Sequence, residues 1–426
     1  MIGIIMFVVA LLMLMLGFPV AFTFAGTALF FGIWAEGIEL FAFMPYRIQS
    51  IMENTILMAI PLFIFMGVVL QKTKLAERLL EAMALLFGRV NGGIAISTIL
   101  VGSLLAASTG VVGASVVAMG LISLPSMLKH NYDKQLSCGV ICASGTLGQI
   151  IPPSIILIIL GDVLGLPVGD LFRAAFAPGI LLIGLYVGYI LFISARNPEL
   201  APAIPASEAP KFIQIKNALL AIIPPLALIF VVLGSIFGGI ATPTESSALG
   251  GIGAIILAIA YGQFKFQMIW ESAKETVMVT AMVFAILLGA TAFSMTFSYS
   301  GGDTLLEEWL LQLPGEKWGF LILTMLVVLI LGFFIDFVEI TFIIIPVLAP
   351  IAETLGISMV WFAILIAMNL QTSFLTPPFG FSLFYLKGVT PPSIRTTDIY
   401  RGVLPFIGIQ ISVLALLLVK PQWFGF

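Results

Sequence analysis

The segment WGFLILTMLVVLILGFFIDFVEITFIIIPVLAPIA, residues 318–352, decides how the rest of the chain is interpreted. It is almost twice as long as the roughly 20 residues that a helix needs to cross a bilayer. Its apolar pattern is interrupted in the middle, between Gly332 and Glu339. The segment is therefore either two ordinary spans joined by a tight loop or a helical hairpin that turns inside the membrane. Residues 91–128 repeat this design, with Ser108-Thr109-Gly110 in the middle.

The composition of the whole chain indicates a membrane protein. Of its 426 residues, 61% are hydrophobic and only 9% are charged, whereas a soluble domain has about 25% charged residues. The mean hydropathy is +1.19. These values exclude a soluble enzyme, a protein that binds nucleic acid and a disordered chain. Because backbone groups in lipid must bond within the segment and alternating barrel strands are absent, the sequence predicts an all-α polytopic membrane protein.

The basic residues favour the hairpin interpretation and set the topology. With the N-terminus outside and both long segments treated as hairpins, 14 of the 18 Lys and Arg residues are cytoplasmic, as the positive-inside rule requires. The first hairpin is flanked by Arg89 and Lys129, and the second by Glu316 and Glu353. The two hairpins are therefore predicted to enter from opposite faces. The four basic residues left outside are Arg47, Arg173, Lys317 and Lys420.

Proline landmarks recur in the second half of the chain. Pro19, Pro125 and Pro152-Pro153 have counterparts 221 to 225 residues later, which predicts two repeats. Each repeat would contain two spans, an amphipathic arm, a third span, a hairpin, a Pro-broken helix and a final span. Five crossings per repeat invert the second repeat. The predicted ranges are 1–195 for the first repeat (arm 40–56, hairpin 91–128, broken helix 135–162), 196–216 for a cytoplasmic linker, and 217–426 for the second repeat (arm 264–276, hairpin 318–352, broken helix 358–386).

Polar residues collect at the hairpin tips and just before the double prolines. A double proline removes two backbone donors and interrupts the helix, which leaves carbonyl oxygens at mid-membrane depth that a small cation can bind. Inverted repeats with discontinuous helices are typical of secondary transporters. Packing of small residues between membrane helices is the alternative explanation. The two clusters are Ser108, Thr109, Gly110, Gly113 and Ser115 with residues 144–148, and Asp336 and Glu339 with Gln371, Thr372, Ser373 and Thr376.

The two acidic residues of the second tip are the strongest candidates for a functional site. A carboxylate at bilayer depth costs about 2.5–3.5 kcal/mol, so such residues are usually functional. Asp336 and Glu339 are three residues apart and share a helical face. For Asp336, a helix-capping role is the alternative. Glu245, which follows Thr242 by three residues, is interpreted as part of a helix N-cap.

Four motifs together resemble one transporter family over essentially the whole chain. They are Gly-Ile-Ala-Thr-Pro-Thr-Glu (239–245), Ile-Ile-Pro-Pro-Ser (150–154), Gly332-x3-Asp336 followed by Pro346 and Pro350, and Thr-Pro-Pro-Phe-Gly (376–380). The chain resembles the large membrane subunit of tripartite ATP-independent periplasmic (TRAP) transporters. The resemblance implies a sodium-coupled, elevator-type importer of small organic acids in the bacterial inner membrane. It also implies a small four-helix membrane subunit and a periplasmic solute-binding protein as partners, and sodium ions in place of a cofactor.

The resemblance also implies positions for two sodium ions, each between a hairpin tip and the nearby helix break. The first tip, Ala-Ser-Thr-Gly-Val-Val-Gly-Ala, is less serine-rich than in many members, and Ser373 stands where many have glycine. We assign neighbouring polar residues as candidate solute contacts. The implied sodium ligands are Ser108, Thr109, Gly110, Gly148 and Pro153 at the first site and Gly332, Asp336, Ser373 and Thr376 at the second; the candidate solute contacts are Ser115, Thr146, Glu339 and Thr372.

A proton-coupled transporter or an ion channel of similar architecture is the alternative function. Either would need rings of charge or a proton-relay chain along its pathway. The sequence has only two clustered acids at membrane depth, which favours the importer. An enzyme is disfavoured because the sequence has no nucleophile–base pair and no metal-binding motif.

Overall fold

The computed structural model describes residues 1–204 and 211–426, and every regular element in those residues is helical. The predicted all-α class is therefore confirmed. The helices of the first half are α1 (Ile2–Met15), α2 (Val20–Glu36), α3 (Met44–Glu53), α4 (Ala59–Lys72), α5 (Leu75–Phe87), α6 (Gly93–Thr109), α7 (Val112–Lys129), α8 (Lys134–Thr146), α9 (Ile155–Val163) and α10 (Val168–Arg196). Those of the second half are α11 (Lys211–Phe237), α12 (Pro243–Ala260), α13 (Phe266–Tyr299), α14 (Gly302–Leu311), α15 (Lys317–Leu331), α16 (Phe337–Glu339), α17 (Ile345–Thr354), α18 (Met359–Leu375), α19 (Phe381–Val389) and α20 (Thr396–Val419).

The two halves exchange packing partners. Helix α2 of the first half packs along α13 of the second, and α12 of the second packs along α4 of the first. In the same way α20 packs along α8, and α10 packs against α18. Glycines allow two of these contacts to become very close: a Cβ on Gly139 would overlap the backbone of Gly402, and one on Gly289 would meet the carbonyl of Ala21. The halves thus form a shared core.

Both long apolar segments are helical hairpins. In the first, α6 ends at Thr109, and Gly110 adopts a left-handed φ of 63° before α7 begins. In the second, α15 ends at Leu331, and after a short turn α16 continues through a π-helical turn, Ile340–Ile344, into α17. Helices α6 and α15 have 17 and 15 residues, fewer than the roughly 20 of a complete span. The second arms, Val112–Lys129 and Phe337–Thr354, have 18 residues each, and the position of both turns inside the membrane stays a prediction.

The two double prolines of the predicted breaks each interrupt a helix, whereas α11 continues without a break through a third, Pro224-Pro225. Helix α8 ends at Thr146, a short 3-10 turn follows, and α9 begins after Pro152-Pro153. Helix α18 ends at Leu375, and α19 begins after Pro377-Pro378. The peptide bond between the two prolines is cis in both breaks. The broken helices therefore leave non-helical backbone next to both hairpins.

The arms differ between the halves. Residues 38–53 form a separate arm, a 3-10 turn followed by α3, and Asn54 ends it by accepting hydrogen bonds from the amides of Ile56 and Leu57 at 2.9 and 3.3 Å. The predicted separate arm at 264–276 is wrong, because α13 runs without a break for 34 residues. No proline interrupts that stretch, so the arm and the following span form one helix.

Two short amphipathic helices, α5 and α14, lie before the hairpins. Helix α5 is bent by 59° from α4. The predicted linker 196–216 begins where α10 ends, and its last residues belong to α11. Its middle, residues 205–210, lies outside the described residues. The repeat boundaries at 195 and 217 stay a prediction.

Candidate functional site

The first hairpin tip is held together by two hydroxyl groups. The Oγ1 of Thr109, at the end of α6, lies 2.7 Å from the Oγ of Ser115, in the first turn of α7. The Thr109 hydroxyl also lies within hydrogen-bonding distance of the Ala106 carbonyl, and the Ser115 hydroxyl lies within hydrogen-bonding distance of the Val111 carbonyl. This hydrogen bond closes the turn at Gly110 and orders two oxygen atoms at the tip.

The same tip contacts the break in the first broken helix. A Cβ on Gly110 would lie 2.7 Å from the side chain of Ile155, the first residue of α9. A Cβ on Gly148 would overlap the carbonyl oxygen of Ala106 in α6. The hairpin tip and the break are thus in direct contact through Gly110 and Gly148, two of the predicted sodium ligands.

The second hairpin meets the second break in the same manner. Gly332, at the end of α15, lies so close to Ser373 that a Cβ would overlap the serine side chain. The hydroxyl of Ser373 donates to the Leu370 carbonyl at 2.8 Å, and that of Thr376 donates to the Thr372 carbonyl at 2.7 Å. Three predicted ligands, Gly332, Ser373 and Thr376, are therefore neighbours, and the two hydroxyl protons point back into their own helix.

The hydroxyl groups at both breaks share this arrangement. A hydroxyl has one proton and two lone pairs, and a serine or threonine in a helix often donates to the carbonyl three or four residues earlier. Ser108, Thr146 and Thr372 donate in this way at 2.8, 3.0 and 2.9 Å. Their lone pairs stay available, so these side chains present acceptor oxygens and no free proton. Such a set suits a cation better than an anion.

Asp336 and Glu339 lie at the start of the second arm of the second hairpin. The carboxylate of Asp336 accepts a hydrogen bond of 2.6 Å from the amide of Phe337 and caps α16. The capping role considered from the sequence is therefore present. Glu339 is 4% exposed, and its Oε2 has no hydrogen-bond partner within the described residues. One acid is thus used by the backbone, and the other is buried with an unpaired oxygen.

Two buried glutamines lie among these residues: Gln371, which the sequence placed in the second cluster, and Gln149, which sequence reasoning missed. Gln149 lies in the 3-10 turn at the first break, Gln371 lies in α18, and both side chains are at most 1% exposed. In the described part of the chain neither amide group has a hydrogen-bond partner. The only signal in the sequence was a polar amide within each apolar segment. The turn that contains Gln149 packs against α18.

Pro153, the last predicted ligand of the first site, lies in the break between the 3-10 turn and α9. Tyr385 of α19, the helix that follows the second break, contacts the first tip, because its ring lies about 3 Å from a Cβ built on Gly113. The structure therefore brings each tip together with its break. Among the described residues, no hydrogen bond directly joins the hydroxyl of Thr109 in the first cluster to that of Ser373 in the second.

Comparison with known proteins assigns the family. The model of the family described as "Tripartite ATP-independent periplasmic transporter, DctM component" matches residues 7–423. The chain belongs to this family. As a TRAP large permease it is a subunit of a transporter and not an enzyme. Seven of the described helices are long and apolar enough to cross a membrane, or eight spans if α4 and α5 are counted as one bent span.

Two curated relatives and one solved structure support this assignment. The chain is 31% identical over 382 residues to the C4-dicarboxylate TRAP transporter large permease protein of Pseudomonas aeruginosa, with 88% of each chain covered. It is 30% identical over 413 residues to the sialic acid TRAP transporter large permease protein of Vibrio cholerae, with 96% and 95% covered. The YdaH transporter of Alcanivorax borkumensis has a TM-score of 0.63 at 16% identity over 92% of this chain and 90% of its own, which shows a common fold.

Proposed function

We propose that this TRAP large permease imports a small organic acid across the bacterial inner membrane and couples the import to sodium ions. The contact of each hairpin tip with its helix break carries the proposal. At both places small residues bring backbone and hydroxyl oxygens together, and the hydroxyl protons are already bonded to the same helix. Acceptor oxygens without a competing donor are the ligands that a hard monovalent cation needs.

The charges near the tips would make binding of an acidic solute depend on bound cations. No Lys or Arg lies in the residues between Gly93 and Leu128, and the acids Asp336 and Glu339 are the charged residues of the second tip. A carboxylate solute would therefore meet no basic side chain there. Bound cations would compensate its charge, which makes ion and solute binding mutually dependent. The relatives named for C4-dicarboxylates and sialic acid are consistent with an acidic solute.

We extend the proposal to the partners and to the movement. The family supports a small membrane subunit and a periplasmic solute-binding protein as partners. The packing of α6, α7, α8, α19 and α20 on one another, and of α2 and α4 on α13 and α12, supports two bodies. The first body contains the hairpins and broken helices and would move as an elevator. The second, with the arm of residues 38–53, would stay fixed against the small subunit.

Reconstitution tests this function directly. Proteoliposomes are prepared that contain the chain and its small subunit. A binding protein from the same operon is added outside them, and uptake of radiolabelled succinate and N-acetylneuraminate is measured. We expect uptake of an acidic solute only with an inward sodium gradient and only with the binding protein. Uptake that is equal with a potassium gradient would contradict sodium coupling.

A proton-coupled carrier is the second candidate, and Glu339 is the observation that favours it. A buried carboxyl group with an unpaired oxygen is a natural proton carrier. In the same proteoliposomes, an inward proton gradient without sodium would then drive uptake, and Glu339→Gln would abolish it. Uptake that needs sodium and persists in Glu339→Gln would exclude this alternative.

A further inference from the structure

A polar cavity lies apart from the hairpin tips, between the two proposed bodies. One wall is the arm and α13, and the other is the end of α9 and the second hairpin near Phe342 and Pro346. Its volume is about 270 Å³, close to the lower end of the roughly 300–1,000 Å³ of small-molecule sites. The polar side chains in its wall are Arg47, Asp162, Thr291, Ser294, Ser298 and Tyr299.

The α13 side of the cavity is a polar stripe on the mainly apolar C-terminal half of that helix. Thr291, Ser294 and Ser298 are separated by three and four residues, so they lie on one face. Thr291 donates to the Leu287 carbonyl at 2.8 Å, while the hydroxyls of the two serines make no hydrogen bond to another described residue. The stripe therefore offers two free hydroxyl donors, separated by about 6 Å along the helix axis.

The two charged residues of the cavity are held differently. Asp162 accepts a hydrogen bond of 2.5 Å from Asn54, which occupies one carboxylate oxygen. No salt bridge or hydrogen bond within the described residues involves the Arg47 guanidinium, which is exposed. A guanidinium offers paired donors that match the geometry of a carboxylate. The cavity can thus bind an anion at Arg47 and hydroxyl or amide groups along α13.

We propose that this cavity is an entrance site that receives a small organic anion before the anion reaches the hairpin tips. The predicted topology puts Arg47 on the outer side, where a binding protein would deliver the solute. The carboxylate of the solute would bind Arg47, and its other polar groups would bind Ser294 and Ser298. The inference rests on the proposed import function and adds a site to it.

Cysteine labelling tests the cavity without any transport. Ser294→Cys is introduced into the full-length chain in right-side-out membrane vesicles, and its reaction rates with an anionic sulfonatoethyl and a cationic trimethylammonium-ethyl methanethiosulfonate are compared. Met278→Cys, on an exposed apolar position of α13, is the matched control. The unchanged chain controls for Cys138 and Cys142, which are buried.

We expect Ser294→Cys to react readily and to prefer the anionic reagent. Adding Arg47→Gln should reduce the anion-to-cation rate ratio severalfold, because Asp162 then is the charged residue of the cavity and repels the anionic reagent, and Arg47→Lys should preserve most of the preference. Labelling as slow as at Met278→Cys, or a ratio that Arg47→Gln does not change, would overturn the proposal. These rates are measured without sodium or solute, so a failure of the import assay leaves them interpretable.

Discussion

The side-chain amide of Asn54 donates a 2.5 Å hydrogen bond to the carboxylate of Asp162, which joins the end of the arm to the last turn of α9. The two residues belong to the proposed fixed and moving bodies, so the proposed elevator movement would require this bond to break. A hydrogen bond to a charged group contributes about 1.5–3 kcal/mol. It therefore stabilises the conformation described here relative to the other end of the movement.

The first prediction concerns this bond. Asn54→Asp keeps the oxygen that accepts from Ile56 and Leu57 but removes the donor and brings two carboxylates together. We expect the present conformation to lose population about tenfold or more, measured as a decrease in disulfide cross-linking between cysteines placed across the arm and α9. The double variant Asn54→Asp/Asp162→Asn restores one donor and should recover the cross-linking. Equal cross-linking in all three chains would mean that the bond does not link moving parts.

The second prediction concerns Asp336. Asp336→Asn keeps the shape and the oxygen that caps α16 but removes the charge, so we expect normal insertion and loss of most sodium-driven uptake. The sodium concentration for half-maximal uptake should rise. Asp303→Asn is the matched control, because Asp303 also accepts from the next amide, Thr304, at 2.8 Å and is half-buried like Asp336, but lies in α14, outside the proposed sodium sites. If Asp336→Asn transports with an unchanged sodium dependence, the residue is only a helix cap.

The third prediction uses the close contact between Gly332 and Ser373. Gly332→Ala would force the alanine Cβ into the serine side chain, at a cost of about 1–3 kcal/mol for an overpacked site. We expect a lower melting temperature and a higher sodium concentration for half-maximal uptake. Gly332→Ala/Ser373→Gly provides the space again and should recover both properties. A single variant as stable as the unchanged chain would contradict the packing at the second break.

The fourth prediction separates capping from ion binding at the start of α12. Thr242 and Glu245 form a reciprocal capping box, with the Thr242 amide 2.8 Å from Glu245 and the Glu245 amide 3.2 Å from the Thr242 hydroxyl. Thr242→Ala should cost about 1 kcal/mol of stability and lower the melting temperature. The sodium concentration for half-maximal uptake should stay the same. A shift in that concentration would indicate that the cap takes part in coupling.

The fifth prediction is topological. The distribution of basic residues and five crossings per half predict that both termini are periplasmic. A membrane-impermeant maleimide added to intact cells should label Phe424→Cys and should not label Arg196→Cys, which the same model puts in the cytoplasm. Labelling of Phe424→Cys only after the cells are opened would contradict the model.

The fold was predictable because its main features depend on local chemistry. The predicted breaks at Pro152-Pro153 and Pro377-Pro378 follow from the lost backbone donors, although α11 continues through Pro224-Pro225, and the distribution of basic residues favoured hairpins over pairs of ordinary spans. The separate arm at 264–276 was wrong because only packing decides whether an amphipathic segment continues into the next span. The sequence did not predict α5 and α14 for the same reason. Their charged residues interrupt the apolar pattern, and the apolar face is short, as at Leu75, Leu79 and Leu80 of α5.

The sequence predicted which residues lie near the hairpin tips and breaks, but it did not predict the chemical role of each residue. The pairing of each tip with its break followed from the repeat, and Gly332 with Ser373 agrees with it. The direction in which each hydroxyl donates depends on rotamers that the sequence does not encode. The cavity at Arg47 depends on contacts between the arm, α13 and α9, residues more than 100 positions apart, so no local pattern pointed to it.

The exchange of packing partners between the halves has a consequence for biosynthesis. When the first half leaves the ribosome, α2 and α4 have not met α13 and α12, the helices that they pack against in the finished protein. Contacts within the first half, such as those of α1 with α2 and of α6 with α7 and α8, can form at once. The most extensive contacts of α2 and α4 form only after the second half is in the membrane, so the core is completed late in synthesis.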